Sequence, residues 1–322
     1  MKKKSKTKNF SKEKKLKALV LFSGGLDSRL CAKILEEQEF EVHLCFVKLP
    51  FGGGCCNNFP CIINFSQTSG FQLHIIDATK GKLFNEYLEL TKKPKHGVGA
   101  SANPCKDCKI FIFKQGKKLA KKIDSQVIVT GEVLAQRPMS QMKSALMFND
   151  ERAGLKNKIL RPLSAKLLPE TIYEKKRIID RKKLFEIHGR QRTKQIQLAK
   201  KYKIKHPDSG GGCLLCEKEY GRKLKFLFNY KEEILFEEIL LLNKARMFKG
   251  KGLIFIGRNE SENLFIEEIS KKIKWNFFKR EDIPGPTIVF DKKEDLNLIG
   301  NLWEAYSKGN LKERKNFEKF RV

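Results

Sequence analysis

The sequence predicts an α/β protein in which a parallel-sheet domain is followed by a basic helical segment and a small C-terminal α+β domain. Apolar strand patterns alternate with helical patterns in the first half, which is typical of βαβ units covered on both faces. The composition of the 322 residues, 40% hydrophobic and 32% charged, allows a sizeable core and excludes disorder over the whole chain. The length exceeds that of one ordinary compact domain.

Changes of pattern along the chain predict its elements and domain boundaries. Strands are expected at Ala18–Phe22, Val42–Leu49, Phe71–Asp77, Val127–Thr130 and, very short, Ile159-Leu160, with helices at Asp27–Glu37 and Lys109–Lys122. Basic helices such as Glu174–Asp180 and Lys194–Tyr202 follow, and then strands at Gly252–Ile256 and Thr287–Phe290 around a helix at Asn263–Lys272. We therefore predict a basic tail at 1–16, the α/β domain at 17–168, a basic helical, cysteine-containing segment at 169–230 and the small domain at 231–322.

The charge of the chain indicates a polyanionic partner. Sixty-seven lysines and arginines stand against 37 acidic residues, a net charge of +30. The tail Met1–Lys17 holds nine lysines and one glutamate, but the rest of the chain remains strongly basic. A solvated basic surface would account for solubility but not for the size of the imbalance, so nucleic acid is the favoured partner.

A glycine turn joins the first strand to the first helix. It reads Ser23-Gly24-Gly25-Leu26-Asp27-Ser28. Glycines permit a tight turn and a close approach of the backbone to a ligand, and the helix start presents unpaired N–H groups to an anion such as pyrophosphate. The segment lacks the Gly-Lys-Ser/Thr ending of a P-loop and the G-x-G-x-x-G of dinucleotide-binding folds. An ordinary strand-to-helix turn is the alternative interpretation.

The S-G-G-x-D-S pattern in this setting resembles the PP-loop ATP pyrophosphatase family, whose fold is adenine nucleotide alpha-hydrolase-like. The resemblance implies that ATP and Mg²⁺ bind here and that the α-phosphate of ATP is attacked to leave an adenylated substrate. The ATP-binding residues that it implies are Ser23, Gly24, Gly25, Asp27, Ser28, Thr130 and Gly131. Asp27 would also be catalytic, by orienting Mg²⁺.

Two Cys-x-x-Cys pairs are the second chemical feature. Cys105 and Cys108 open a predicted helix, and Cys213 and Cys216 follow a triple glycine. Both pairs together would suit structural zinc, whereas three thiolates would suit an iron–sulfur cluster with one open iron. Of the other cysteines, we predict Cys31 and Cys45 to be core residues, and a loop near the active site to hold Cys55, Cys56 and Cys61.

The segments 131–141 and 160–166, together with these cysteines, resemble the tRNA thiouridylases, in a subgroup that is 4-thiouridine synthetase-like or 2-thiouridylase-like. The resemblance implies an enzyme that uses ATP to thiolate a tRNA uridine, with sulfide or a persulfide carrier as sulfur donor. Cys105, Cys108 and Cys213 would hold a 4Fe-4S cluster. Alternatively, Cys108 and Cys213 would relay sulfur as a persulfide. Cys216 is an extra thiol in this pattern.

Two regions are candidates for RNA binding. The cluster around Arg190 and Arg192 is the most RNA-like part of the basic segment. In the last domain, the segments at 256–263, 275–277 and 284–287 resemble the NFACT-R RNA-binding domain, which implies that Arg258 contacts phosphate. Core packing of Trp275 and a helix cap at Asn259 are the alternative interpretations.

Two other functions remain open at this point. One is a PP-loop adenylating ligase or amidotransferase acting on another substrate, and the other is a non-catalytic RNA-binding protein. Neither a secretory signal nor an apolar stretch long enough to cross a membrane is found in the sequence. We therefore expect a cytoplasmic protein with no membrane partner.

Overall fold

The computed structural model describes residues 15–52, 59–138, 140–206, 213–307 and 311–322. Within them the helices are α1 (Leu26–Glu36), α2 (Phe59–Ser69), α3 (Gly81–Lys92), α4 (Cys105–Lys122), α5 (Lys143–Arg152), α6 (Ile172–Lys175), α7 (Thr193–Lys201), α8 (Lys218–Tyr230), α9 (Phe236–Lys244), α10 (Glu260–Ile273), α11 (Leu296–Tyr306) and α12 (Leu311–Phe317). The strands are β1 (Lys17–Leu21), β2 (Glu41–Lys48), β3 (Gln72–Asp77), β4 (Val127–Thr130), β5 (Arg246–Lys249), β6 (Leu253–Ile256), β7 (Asn276–Phe278) and β8 (Ile288–Phe290). Most of the basic tail, Cys55, Cys56 and the glycines at 210–212 lie outside the described residues.

The chain forms two compact units, and each is discontinuous in sequence. The first unit comprises Met1–Val47, Asn58–Ile76 and Lys109–Gly210, and the second comprises Lys48–Asn57, Asp77–Cys108 and Gly211–Val322. The four consecutive segments predicted from the sequence were defined by changes of composition, whereas these units are defined by compactness. The predicted segments therefore stay a prediction.

A parallel sheet of order β3-β2-β1-β4 forms the centre of the first unit. Strand β1 pairs in parallel with β2 on one side and with β4 on the other, so that Val20 faces Leu44 and Val129 across the two ladders. All three side chains are fully buried. Strands of such continuous apolar character need cover on both faces, which is why the helices alternate with them along the chain. The predicted α/β class and its four strands are confirmed.

Two local expectations in the first unit are wrong. The predicted fifth strand is a single parallel bridge between Val129 and Leu160, because Pro162 cannot donate a ladder hydrogen bond. The predicted helix Glu174–Asp180 is interrupted, since α6 already ends at Lys175. There the guanidinium of Arg181 pairs with Glu174 and donates to the Ala165 carbonyl oxygen at 2.8 Å. These tertiary contacts outweigh the helical propensity of the basic segment.

An antiparallel sheet of order β5-β6-β8-β7 lies in the second unit. Its central strands β6 and β8 place Ile254 opposite Phe290, and α11 contributes Ile299 and Trp303 to the same buried cluster. This arrangement confirms the predicted α+β character of the C-terminal part. The sequence patterns missed β5 and β7, which have only four and three residues. No helix among the described residues is sufficiently long and apolar to cross a lipid bilayer.

Candidate nucleotide loop and thiol site

The glycine turn is a tight loop between β1 and α1 in the first unit. Gly24 adopts a positive φ of 80°, a conformation that favours glycine. The Ser28 hydroxyl donates to the Gly25 carbonyl oxygen at 2.9 Å, which ties the loop to the first turn of the helix. The first N–H groups of α1 have no partners within the helix, so the loop has the local geometry of an anion site.

A buried arginine that the sequence did not single out holds this loop from inside. Arg29 is 3% exposed, and its Nε donates to the Gly24 carbonyl oxygen at 2.8 Å. Its Nη1 donates to the Lys205 carbonyl oxygen at 2.9 Å, and its guanidinium lies 4.6 Å from the centre of the Phe65 ring. Because the Gly24 carbonyl is held toward the protein interior, the turn is fixed before any ligand binds.

Gly131 brings the second predicted nucleotide segment against this loop. A Cβ at this position would lie 2.6 Å from the Ser28 backbone nitrogen and 2.8 Å from the Asp27 carbonyl carbon. Only glycine permits that contact without displacing the start of α1. Thr130, the preceding residue, is buried and its backbone N–H donates to the Leu160 carbonyl oxygen at 3.0 Å. The structure thus brings the two predicted ATP-binding segments together.

The residue after Gly131 belongs to a buried ion-pair triad. The guanidinium of Arg161 donates to both carboxylate oxygens of Asp150, at 2.8 and 2.7 Å, and to Glu132 at 3.1 Å. All three side chains are at most 5% exposed. Such a triad fixes the direction in which the chain leaves β4, and removing one member leaves uncompensated buried charge.

Asp27 faces an enclosed polar environment. Burial raises the pKa of its carboxyl, while the positive charges of Arg192 and Arg137 oppose the shift. Among the described residues, its Oδ1 has no partner within hydrogen-bond distance. The amides of Gln136 and Gln195 nevertheless lie near enough to favour the ionised carboxyl. Sequence reasoning missed both glutamines because a single amide in a polar segment carries no motif.

The thiols at 105, 108 and 213 all lie in the second unit, where neutral donors contact two of them. Asn103 Nδ2 donates to Cys105 Sγ at 3.1 Å, and Tyr87 Oη donates to Cys108 Sγ at 3.1 Å. Cys213 Sγ lies 3.8 Å from the Phe51 carbonyl oxygen. Asn103 and Tyr87 are buried, so these contacts fix the sulfur positions.

The charges of these thiols influence one another. Burial, followed by the thiols of Cys108, Cys216 and Cys105, raises the pKa of Cys213 to about 12. Burial, followed by the thiols of Cys108, Cys213 and Cys105, also raises the pKa of Tyr87, which therefore keeps its proton at neutral pH. Within the described ranges, no three or more His, Cys, Asp or Glu side chains are arranged to hold a metal ion. The four-thiolate zinc arrangement considered from the sequence is therefore not present among the described residues.

Of the remaining described cysteines, two lie in the core and one contacts the arginine that holds the glycine loop. Cys31 and Cys45 are buried, as predicted. Cys61 lies in α2 rather than in a loop, and its sulfur is 3.0 Å from Arg29 Nη2. Cys55 and Cys56 lie outside the described residues, so their predicted loop position stays a prediction.

The predicted RNA-binding arginines occupy different environments. Arg190 is exposed, whereas Arg192 is half-buried and its charge acts on Asp27. Arg258 forms an ion pair with Glu262, with Nη2 to Oε1 at 2.7 Å. Asn259 caps α10 by accepting from the Glu262 backbone N–H, so the helix-cap interpretation of Asn259 is confirmed.

The first unit carries most of a family match. Residues 13–186 match the family described as thiamine biosynthesis protein (ThiI). This range is more than half of the chain. The chain belongs to the ThiI family. The ThiI match includes the glycine loop, Cys105, Cys108 and the Thr130-Gly131 segment, but it ends before Cys213.

Relatives of this ThiI-family chain are similar over shorter ranges. The tRNA-specific 2-thiouridylase MnmA of Campylobacter curvus is 33% identical over 119 residues, which cover 36% of this chain and 34% of the relative. MnmA of Campylobacter hominis is 32% identical over 108 residues, which cover 32% and 28%. The chain thus spans about a third of the length of these curated relatives.

The chain is also similar to a solved structure at low identity. The U34-tRNA thiolase NcsA from Methanococcus maripaludis, with its [4Fe-4S] cluster, gives a TM-score of 0.38 at 14% identity, covering 81% of this chain and 74% of that one.

Proposed function

We propose that this ThiI-family chain is an ATP-dependent tRNA uridine sulfurtransferase. The close approach of Gly131 to the Asp27–Ser28 backbone carries the proposal, because it would let two separate segments form one rigid anion site. The 2-thiouridylase relatives support tRNA as the substrate.

In the proposed first step, the uridine carbonyl oxygen attacks the α-phosphorus of ATP and pyrophosphate leaves. Ser23, Gly24, Gly25 and Ser28 would hold the pyrophosphate at the start of α1, and Thr130 and Gly131 would close the other side. Asp27 would hold Mg²⁺, which neutralises phosphate charge when bound, and the enclosed carboxylate oxygen of this residue fits such a cation. Adenylation is needed because a urea-like carbonyl oxygen is a poor leaving group.

In the proposed second step, sulfur displaces AMP from the activated carbon. Two routes remain open, and the three thiols of Cys105, Cys108 and Cys213 fit either. A 4Fe-4S cluster held by their thiolates would supply an open iron for sulfide. The sulfur ligands of a 4Fe-4S cluster lie farther apart than the ligands of a single metal ion. The absence of a single-ion site among the described residues therefore does not contradict the cluster route. Alternatively, Cys108 would take the outer sulfur of a carrier persulfide and release the carrier thiol. That sulfur would bond to the activated carbon as AMP leaves, and Cys213 would then attack Cys108 Sγ to free the thiouridine. The Cys108–Cys213 disulfide so formed would be reduced by an external thiol.

Binding of tRNA is supported by a basic groove in the first unit. The groove has a volume of about 440 Å³ and is lined by five lysines: Lys166, Lys182, Lys183, Lys194 and Lys201. Lysines at this density track a phosphate backbone without reading its sequence. We further propose that Arg190 and Arg192 of the first unit and, separately, Arg258 of the second unit contact tRNA phosphates. The proposed reaction takes place in the cytoplasm.

The deciding experiment measures AMP, pyrophosphate and thionucleosides with unmodified tRNA, ATP and Mg²⁺, using sulfide as the sulfur donor in one reaction and a persulfide carrier with a thiol reductant in another. We expect tRNA-dependent AMP and thiouridine from the native chain, and neither product from Asp27→Ala. Cys108→Ser and Cys213→Ser should stop thiouridine formation, whereas the exposed Cys216→Ser serves as the matched thiol control.

Each alternative gives a different result in the same assay. AMP formation that survives both Cys108→Ser and Cys213→Ser without any thionucleoside would favour an adenylating ligase. No AMP with any RNA would favour a non-catalytic binding protein. Iron and acid-labile sulfide in anaerobically purified protein distinguish the cluster from the persulfide route.

A further inference from the structure

Three arginines of the second unit gather around one tyrosine ring. The guanidinium carbons of Arg246 in β5 and Arg314 in α12 lie 5.3 and 5.2 Å from the centre of the Tyr306 ring. Because both groups contact the same ring, two positive charges are held close together. The third arginine, Arg321, lies opposite Phe248 in an antiparallel bridge, and the Phe248 ring packs against the Tyr306 ring with centres 5.4 Å apart.

The strand geometry turns these arginines to one face of the antiparallel sheet. Alternate residues of a strand share a face, so Arg246 and Phe248 of β5 lie on the same side, as does Arg321 opposite Phe248. The Val322 N–H donates to the Met247 carbonyl oxygen at 3.0 Å, which holds the last residues along this strand. The three arginines thus come together on one surface from β5, α12 and the end of the chain.

The charges of Arg246 and Arg314 are not compensated locally. Both side chains are half-buried, and each donates to one backbone carbonyl oxygen: Arg246 Nη1 to Gly257 at 3.4 Å, and Arg314 Nε to Ala305 at 3.0 Å. In the part of the chain that the structure describes, neither guanidinium forms an ion pair with a carboxylate. Burial, and next the positive charge of Arg314, lower the pKa of Arg246. Holding like charges together in this way is unfavourable, and a bound anion would offset it.

Arg321 provides the exposed side of this surface. Its side chain is 35% exposed, and its carboxylate neighbours are Glu318 at 3.5 Å and Glu219 at 3.9 Å. Both glutamates are more than half exposed, so these ion pairs contribute little and can be exchanged for another anion. The surface therefore keeps N–H donors that a ligand can reach.

The chemistry of three guanidinium groups favours phosphate as the ligand. Each guanidinium has five N–H donors in a planar fork, which suits two oxygens of a phosphate. Arginines spread over one surface contact successive phosphates of a strand without reading its bases. A nucleic-acid backbone offers phosphates in such a row, and the net charge of +30 favours the same class of partner.

We propose that Arg246, Arg314 and Arg321 form a binding site, the arginine surface, for phosphates of the RNA backbone. This inference rests on the proposed function, because it names a docking surface for the tRNA substrate. Arg246 contacts the Gly257 carbonyl oxygen, and the next residue is Arg258. The arginine surface therefore extends the phosphate contact proposed for Arg258 along the second unit.

The first test is the salt dependence of tRNA binding, which needs no catalysis. We measure the dissociation constant of an unmodified tRNA transcript at several KCl concentrations. The slope of log affinity against log salt falls by about 0.7–0.9 for each phosphate contact that is lost, so Arg246→Gln and Arg314→Gln should each reduce it by about that amount. The double variant should bind tRNA at least about 10-fold more weakly at about 0.1 M salt. A native slope in the double variant would overturn the inference.

Arg280→Gln is the matched control. The guanidinium of Arg280 also lies over an aromatic ring of the second unit, 5.2 Å from the centre of Trp303. It differs in having carboxylates beside it, those of Asp282 at 3.7 Å and Glu304 at 3.9 Å. Because its charge is already compensated, the slope should stay native in this variant. A loss as large as that of Arg314→Gln would contradict a defined site.

A charge-retaining variant separates phosphate binding from packing on the tyrosine ring. Arg314→Lys keeps the positive charge but loses the planar group, so the slope should stay near its native value. All variants are compared below their melting temperatures, so that unfolding does not enter the comparison. An equal loss of slope in Arg314→Lys and Arg314→Gln would assign the effect to packing and overturn the phosphate contact.

Turnover distinguishes this inference from the proposed function. In the sulfurtransferase assay, the double variant should raise KM for tRNA and leave kcat unchanged, as expected for the loss of uniform binding. If tRNA-dependent AMP is formed and the double variant has a native KM for tRNA, the arginine surface is wrong and the sulfurtransferase stands. If the double variant loses the salt slope but no tRNA yields AMP, the arginine surface stands and the sulfurtransferase fails.

Discussion

The glycine loop and the thiol site differ in how they are held in place. The loop is fixed by buried charges and close backbone contact: Arg29 holds Gly24, and Gly131 lies against Ser28. The thiols of Cys105 and Cys108 are half-buried, and each accepts a hydrogen bond from a neutral donor. The fold therefore holds the proposed nucleotide loop more rigidly than the proposed thiol site, which in either proposed route would be completed by a cluster or by a transferred sulfur atom.

The largest effect should come from the ion-pair triad below the nucleotide site. Arg161→Leu leaves Asp150 without its buried cation and Glu132 with only the partly exposed Lys109, so the free energy of unfolding should fall by about 3–5 kcal/mol. Urea denaturation of the two proteins measures the change. Lys156→Leu is the control, because its ion pair with Glu151 is largely exposed and should contribute under about 1 kcal/mol. Equal effects of the two substitutions would show that the triad does not stabilise the unit.

The next effect concerns the backbone contact. Gly131→Ala places a Cβ 2.6 Å from the Ser28 nitrogen, so the start of α1 must move. We expect a lower melting temperature and a loss of ATP binding of at least about 100-fold, typical of a misplaced phosphate site.

Gly25→Ala is the matched control for Gly131→Ala. Its Cβ would meet only the Ser23 hydroxyl, at an ordinary 3.6 Å, and Gly25 has a negative φ. The melting temperature of this variant should therefore remain native. Native ATP affinity in Gly131→Ala, measured by calorimetry, would refute the role of the contact.

A smaller effect should follow from the donor at the thiol site. Tyr87→Phe removes the hydrogen bond to Cys108 Sγ, which stabilises a thiolate. The pKa of Cys108 should rise and its alkylation rate at pH 7 should fall about 10-fold, because hydrogen bonds to charged groups are worth about 1.5–3 kcal/mol. Mass spectrometry of iodoacetamide-labelled protein measures this rate.

The control for Tyr87→Phe is Tyr220→Phe. Tyr220 is likewise buried, but its hydroxyl donates to the Ile239 carbonyl oxygen and not to a thiol. Its loss should leave the alkylation rate of Cys108 unchanged. Similar slowing in both variants would assign the effect to packing.

The smallest effect is a pH dependence at the loop. Burial raises the pKa of Asp27 above its ordinary value near 3.8, so the ionised carboxyl destabilises the folded state. This free-energy penalty on the folded state is absent at pH values below the ordinary pKa of an aspartate and is complete above the raised pKa of Asp27. Asp27→Asn should therefore be more stable than the native chain at pH 7, and the gain should vanish on acidification. Thermal melts from pH 3 to 8 measure it, and a gain that grows in acid would contradict the assignment.

Sequence reasoning located the backbone elements well where the pattern was strong. Strand β4 has the predicted bounds, and α1 begins within one residue of its predicted start. The helix predicted at Glu174–Asp180 in the basic segment was wrong, because contacts of Arg181 with distant carbonyl oxygens end α6 early. Sequence reasoning also missed Arg29, Gln136 and Gln195, because their importance comes from burial beside Asp27 and Gly24, which no local spacing reveals.

The sequence alone determined the α/β class, the position of the glycine loop and the set of thiols, because hydrophobic periodicity and glycine content act locally along the chain. Tertiary structure decided which polar groups surround Asp27 and which donors contact the sulfur atoms. It also decided that Gly131 touches the helix start, a contact between residues that are more than 100 positions apart. Such proximity depends on packing that encloses polar atoms, and enclosure is a property of the folded chain rather than of any segment.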